Sequence, residues 1–220
     1  SVHVEGISDI TQDDIIYAGE LGYRIQHLGI ARRLPNGLDL RVHPCLVGDD
    51  HLLSSVSGVM NAIVVNGDAV GETLLYGAGA GAQPTASAVI ADLVDVVRTL
   101  TSDPGNRVPH LAFQPAALAA PGIVPLSEIV CAHYLRLTVD DRPGVLADIT
   151  RILGDYQVSI EAIRQQGSAD ALGNVPVVIV THRALEANVA MAVLEIEALS
   201  TIARAATRIR LETLEISVDE

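Results

Sequence analysis

Lysine is absent from the 220 residues and all 14 basic side chains are arginine. Every mechanism that needs a lysine as base, proton donor or Schiff-base former is therefore excluded for these residues. Cysteine is nearly as scarce: Cys45 and Cys131 cannot form a disulfide framework. No basic-then-apolar leader opens the sequence, and a reducing cytoplasm fits both features. No apolar run approaches the 18 or so residues that a membrane span requires. Clustered cations are lacking as well. With 27 acidic side chains the net charge is −13 and the pI about 4.8, which argues against a nucleic-acid or anionic-membrane surface.

Two kinds of site signal are also missing. His3, His27, His43, His51, His110, His133 and His182 show no H-x-x-x-H spacing and the cysteines no C-x-x-C, so no metal site is expected. No G-x-S-x-G elbow supports Ser-His-Asp catalysis. His43, within Val42-His43-Pro44, reads either as a site residue or as a core or interface histidine.

What is present suffices for real cores: 49% of residues are hydrophobic and the mean hydropathy is +0.36. The length suits two small domains. The chain opens on Ser1-Val2-His3 and runs directly into helix-capping chemistry, so it is expected to be part of a longer polypeptide.

Thr11 stands three residues before Asp14, the capping-box pattern, and predicts a short helix at about 11–22. Period-two alternation in 23–33 and 38–47, joined by Pro35-Asn36-Gly37, predicts a hairpin. A second hairpin is expected from 58–65 and 69–76 around Asn66-Gly67-Asp68. After Gly77-Ala78-Gly79-Ala80-Gly81, apolar residues from Ala86 to Val97 repeat at helical spacing and predict a buried helix to about Leu100. Pro104, Pro109, Pro115, Pro121 and Pro125 mark a linker over 101–130. From Cys131 onward the pattern reads strand, helix, strand, strand, helix, strand, the ferredoxin-like βαββαβ plan. The fold class expected is thus α/β in the α+β sense: a mixed sheet with flanking helices over 1–100, then a βαββαβ domain over 131–220.

Two loops carry possible binding chemistry. Gly77 to Ala82 matches G-x-G-x-x-G/A letter by letter. The second parallel strand of a dinucleotide fold does not follow, because Thr101 to Asn106 is a breaker cluster. Backbone N–H groups at a helix start can still meet an anion, or the glycines can serve only as a strand-to-helix turn. The other loop is Asp140-Asp141-Arg142-Pro143-Gly144-Val145-Leu146. It combines free N–H donors with carboxylates, which suits a zwitterionic amino acid, and it equally suits a well-capped helix start.

Glu20-Leu21-Gly22-Tyr23, Val42-His43-Pro44, Gly58-Val59-Met60-Asn61-Ala62 and above all Tyr76 to Val89 (YGAGAGAQPTASAV) resemble, in order and spacing, the end of the catalytic domain of homoserine dehydrogenase. Asp141-Arg142-Pro143-Gly144-Val145-Leu146 and its surroundings resemble an ACT domain, as appended to many bacterial members of that family. The resemblance implies NAD(P)-dependent interconversion of homoserine and aspartate 4-semialdehyde, in threonine and methionine biosynthesis. It also implies that the Rossmann domain and the Asp and Lys of the active site precede Ser1, so no catalytic residue is assigned here. On this resemblance the segment near the nicotinamide maps onto Gly77, Gly79, Gly81 and Thr85, and an effector, expected to be threonine, onto Asp140, Asp141, Arg142, Pro143, Gly144, Val145 and Leu146. The 220 residues alone are expected to hold no cofactor, to lack dehydrogenase activity and to form a homodimer in the cytoplasm. The competing class is a stand-alone amino-acid sensor without catalysis, against which the glycine loop speaks.

Overall fold

The computed structural model describes residues 2–100, 113–119, 121–165 and 170–213. The first half contains β1 (His3–Val4), α1 (Gln12–Glu20), β2 (Tyr23–Leu34), β3 (Gly37–Gly48), β4 (Met60–Gly67), β5 (Gly71–Ala78) and α2 (Ala82–Leu100). The second contains β6 (Val130–Asp140), α3 (Val145–Asp155), β7 (Ile160–Gln165), β8 (Asn174–Thr181), β9 (Ala184–Leu185), α4 (Glu186–Glu197) and β10 (Ile202–Leu211).

The compact units do not follow this order. Among the described residues, one unit joins the segment up to Ser54 with residues 122–213, and the other runs from Ser55 to Pro121. The sequence suggests divisions at 1–100, 101–130 and 131–220; strands from the first and the last of these segments share one sheet. Residues 101–112 of the expected linker lie outside the described residues.

In the larger unit β10, β6, β8 and β7 lie side by side with α3 and α4, the expected βαββαβ arrangement. β6 runs antiparallel to both β10 and β8. The sheet continues beyond β10 into β3. β2 occupies one edge of β3 along its full length. The other edge is shared: β1 pairs at Arg41 and Val42, and β10 pairs in parallel at Cys45 and Leu46.

Alternation along each strand sends side chains to opposite faces, and both faces are covered. Leu135, Leu137, Val139, Val177 and Ile179 pack with Ile149, Ile152, Leu153, Val189 and Ile196 of α3 and α4. Tyr134, Val178, Val180, Ile209 and Leu46 form a second core with Ala18 of α1. Each fully buried aliphatic side chain contributes about 1.5–3 kcal/mol. Together they hold the segment before Ser54 to the βαββαβ sheet.

α1 starts as its capping box predicts. Asp14 N–H donates to Thr11 Oγ1, and Thr11 N–H donates to Asp14 Oδ2 at 2.9 Å. Asp14 is fully buried because Arg136 and the Tyr134 hydroxyl also donate to it. The first hairpin turns at Pro35-Asn36, as expected. Gly37 at its corner lies against the Gly122 carbonyl, where a Cβ would collide.

The smaller unit, described by itself, holds β4, β5 and α2. Its hairpin turns later than the sequence suggests. Asn66 and Gly67 stay in the ladder opposite Glu72 and Gly71, and positive φ falls at Gly71 instead. The helix predicted as buried is not: no residue of α2 is buried among the described residues, and Val89, Ile90, Leu93, Val96 and Val97 are each more than half exposed. Its apolar stripe exists, but within this unit the described residues offer too little surface to cover it.

Candidate functional site

The glycine loop leaves β5 and enters α2. Gly77 lies opposite Asn61 in the ladder and Gly79 N–H donates to the Val59 carbonyl at 2.9 Å. A Cβ on Gly79 would collide with the Asn61 side-chain amide, and Gly81 takes φ of 114°. Both positions therefore need glycine for conformation or close approach. Thr85 N–H closes the first helical turn onto the Gly81 carbonyl at 3.1 Å. Gly77, Gly79, Gly81 and Thr85 are all exposed. The structure thus brings the four together at the start of an α-helix, where the earliest N–H groups lack intrahelical acceptors.

The second loop joins β6 to α3. Asp140 and Asp141 do not offer free amides: Asp140 N–H donates to the Thr201 carbonyl at 2.9 Å and Asp141 N–H to the Gly173 carbonyl at 3.2 Å. Arg142 lies 3.8 Å from the Asp140 carboxylate, and Asp141, Arg142 and Pro143 are exposed. Gly144 is the N-cap of α3 at φ 96°, with no side chain to cap the helix. Val145 is 3% exposed and belongs to the core, and Leu146 packs against that core. The donors left for a carboxylate are the first amides of α3, with the positive helix end behind them.

A third feature escaped the sequence reading: a seam of buried charge where β3, β10 and β6 meet. Alternation places Asp39, Arg41, His43 and Cys45 on one face of β3, and all four are buried. Arg41 donates twice to Asp39, at 2.7 and 2.9 Å, and lies 2.8 Å from Glu212, which Arg32 reaches at 2.6 Å. In β10, Arg210 stands opposite Cys45 in β3 and opposite His133 in β6. It donates to Glu186 at 2.6 and 3.1 Å and to Glu5 at 2.8 Å, and Arg208 lies 3.1 Å from Glu186. The signal available in sequence was the polar alternation of residues 39–45; it has the period of a solvated strand face, and only β10 and the 122–126 segment make it internal.

These contacts set the protonation states. Burial alone would raise the Glu186 carboxyl; hydrogen bonds from His133 and Arg210 and the guanidinium charge hold it far below the usual range. Glu5 is likewise pushed up by burial but brought down to about 2 by Arg210 and His3. Burial lowers His43 against the hydrogen bond to the Pro44 carbonyl, and the charges of Arg210 and Arg41 lower it further. Burial and the Glu186 charge push the Cys131 thiol up to about 12.

Two clusters in the seam have metal-ligand chemistry: His43, Cys45 and Glu212, and Cys131, His133 and Glu186, each with donor atoms within 4.8 Å of one another. The donors are already spent. Each carboxylate is neutralised by two arginines, His133 Nε2 lies 2.8 Å from Glu186, and the thiols hold their protons. A cation would have to enter beside guanidinium groups at hydrogen-bond distance from its own ligands, so the residues fit an ion-pair seam better than a metal centre.

The candidate cavity of about 270 Å³ lies beside this seam, lined by His3, Asp39, Arg41 and the 123–126 segment. No helix among the described residues is long and apolar enough to cross a membrane.

Comparison with known proteins places both halves. Residues 1–94 match the homoserine dehydrogenase family model and residues 133–198 the ACT domain model. The chain is 53% identical to the homoserine dehydrogenase of Pseudomonas aeruginosa, over 96% of this chain and 49% of that protein. Against the homoserine dehydrogenase of Neisseria gonorrhoeae the identity is 50%, over 96% and 48%. The crystal structure of a homoserine dehydrogenase from Thiobacillus denitrificans superposes with a TM-score of 0.87 at 55% identity, covering 97% of this chain and 48% of that one. The chain spans about half the length of the curated relatives it matches.

Proposed function

Because residues 1–94 belong to the homoserine dehydrogenase family and residues 133–198 form an ACT domain, we propose that this chain works as the C-terminal part of an NAD(P)-dependent homoserine dehydrogenase. The reaction interconverts homoserine and aspartate 4-semialdehyde in the cytoplasm. The observation that carries this reading is the conjunction of the two matches within one fold that the Thiobacillus denitrificans enzyme shares over 97% of the chain. On this reading the Gly77 to Thr85 turn, exposed at the start of α2, faces the nicotinamide end of the cofactor, and its first N–H groups are the donors it offers. The ACT loop takes an amino-acid effector, threonine in the first instance. The first amides of α3 hold its carboxylate and Asp140 or Asp141 its ammonium. The enzyme is a homodimer.

Hydride transfer needs a bound nicotinamide and a positioned acid, and the lysine-free chain supplies no lysine for that role. The 220 residues alone should therefore not oxidise NADPH with aspartate semialdehyde, whereas co-expression with the N-terminal half of a close relative should restore turnover. Turnover by the 220 residues alone, or none after complementation by a soluble associated half, overturns the proposal. For the effector, calorimetry should give binding heat with threonine that Asp140→Ala weakens by roughly ten- to a hundredfold, the loss of one charge-assisted contact.

A further inference from the structure

One strand touches both functional regions. β10 begins beside the ACT loop, where the Asp140 amide donates to the carbonyl of Thr201, the residue before the strand. It ends in the segment matched to the dehydrogenase, where Arg210 and Leu211 pair with Cys45 and Leu46 and the Glu212 amide donates to the Leu46 carbonyl at 3.0 Å. At about 3.3 Å per residue its 10 residues span roughly 30 Å.

The two ends are built differently. From Thr207 to Leu211 the register with β6 is regular, and Ile209 to Leu211 are buried. Between Ile202 and Thr207 the register shifts twice, Ala203 to Ala205 are exposed, and the Ala206 amide bonds the Glu197 carboxylate at 2.7 Å rather than β6. Such irregularities leave residues unpaired and allow a strand to change its bend locally. The regular end is tied by charge: Arg210 bridges Glu186 of α4 and Glu5 beside β1, and Glu212 takes Arg41 and Arg32. At mid-strand, Arg136 bridges Thr207 to Asp14 of α1.

We propose that β10 is the coupling element of this protein. A change in the Asp140–Leu146 loop alters the irregular half of β10, and the ion pairs of Arg210 and Glu212 carry it to Glu5 and to the Asp39–Cys45 face of β3. In its biological use this rests on the ACT loop being the effector site, but the mechanical coupling exists with or without a ligand. Coupling in that sense is an energy shared between two sites through an element with more than one arrangement.

The test is hydrogen exchange on the 220-residue chain, with Gly144→Ala perturbing the loop, or Asp141→Ala should the first not fold. In the wild-type background, amide exchange over residues 39–46 should rise by roughly two- to thirtyfold, the range of mutational coupling energies of about 0.5–2 kcal/mol. In a Glu5→Gln background, which leaves Arg210 paired with Glu186, that rise should shrink. A response confined to residues 140–148, or an equal response in both backgrounds, overturns the proposal. Absence of threonine heat with the exchange response intact would instead remove the effector reading and leave the coupling standing.

Discussion

Arg41 and Glu212 lie 2.8 Å apart, each with a side chain 1% exposed, although one belongs to the hairpin strand β3 and the other follows β10, the last strand of the sheet in chain order. Taking both charges out of water is costly, and only their mutual contacts, with Asp39 and Arg32 completing the set, offset that cost. A pair of this kind contributes less to net stability than its distances suggest, but losing one partner is severe. Arg41→Met, which strands Asp39 and leaves Glu212 with Arg32 alone, should therefore lower unfolding stability by about 3–5 kcal/mol. Urea denaturation measures it, and a loss under about 1 kcal/mol would show that water reaches the seam.

Acid should act on the same seam. The folded pKa of Glu5 is depressed to about 2 and that of Glu186 lies lower still, against an ordinary value of 4.5. A depressed carboxylate contributes stability that is complete above the ordinary value and disappears as pH falls through the folded one. The urea midpoint should hold from about pH 6 to pH 5 on this account and then fall towards pH 2. Glu5→Gln should flatten the upper part of that fall; an unchanged slope would mean that Glu5 does not couple to folding.

Both thiols should be silent in the native protein. Cys45 and Cys131 are 0% and 4% exposed, and burial raises both thiols, Cys131 to about 12. The thiolate is the reactive form, so a chromogenic disulfide reagent near neutral pH should label neither until denaturant is added, then both. Prompt labelling of one would place that cysteine in a region that opens locally.

Loss of the α1 cap should be modest, and loss of its carboxylate large. Thr11→Ala should cost about 1 kcal/mol, as for other N-cap replacements. Asp14→Asn also leaves Arg136, whose side chain is 14% exposed, without its charge partner and weakens the Tyr134 contact. Thermal unfolding should show it as the more destabilised of the two by a clear margin, and equal losses would mean that Asp14 serves only the cap.

Much of the architecture was legible because it is local. Thr11 and Asp14 announced α1 within one turn, and Pro35-Asn36-Gly37 placed the first hairpin. The 3.6-residue spacing of Val145, Ile149, Ile152 and Leu153 placed α3 and its buried face. The two loops proposed for binding were legible for the same reason, since glycine near a helix start has few uses. What the loops' amides do was not: the Asp140 and Asp141 donors are consumed by Thr201 and Gly173, partners far along the chain.

The seam was illegible for a related reason. Asp39, Arg41, His43 and Cys45 alternate as the polar face of an exposed hairpin would, and the apolar stripe of α2 repeats as a buried helix would. Residue type and period thus determined which elements form, which side chains share a face, and which loops carry glycine where a Cβ would be strained or would collide. Which face meets water was decided only by tertiary structure. β10, which follows the residues matched to an ACT domain, pairs with β3 and buries a charged face with its counter-ions, while the described residues of its own unit leave α2 uncovered. Burial depends on contacts between segments remote in sequence, and no local pattern encodes which remote strand will arrive.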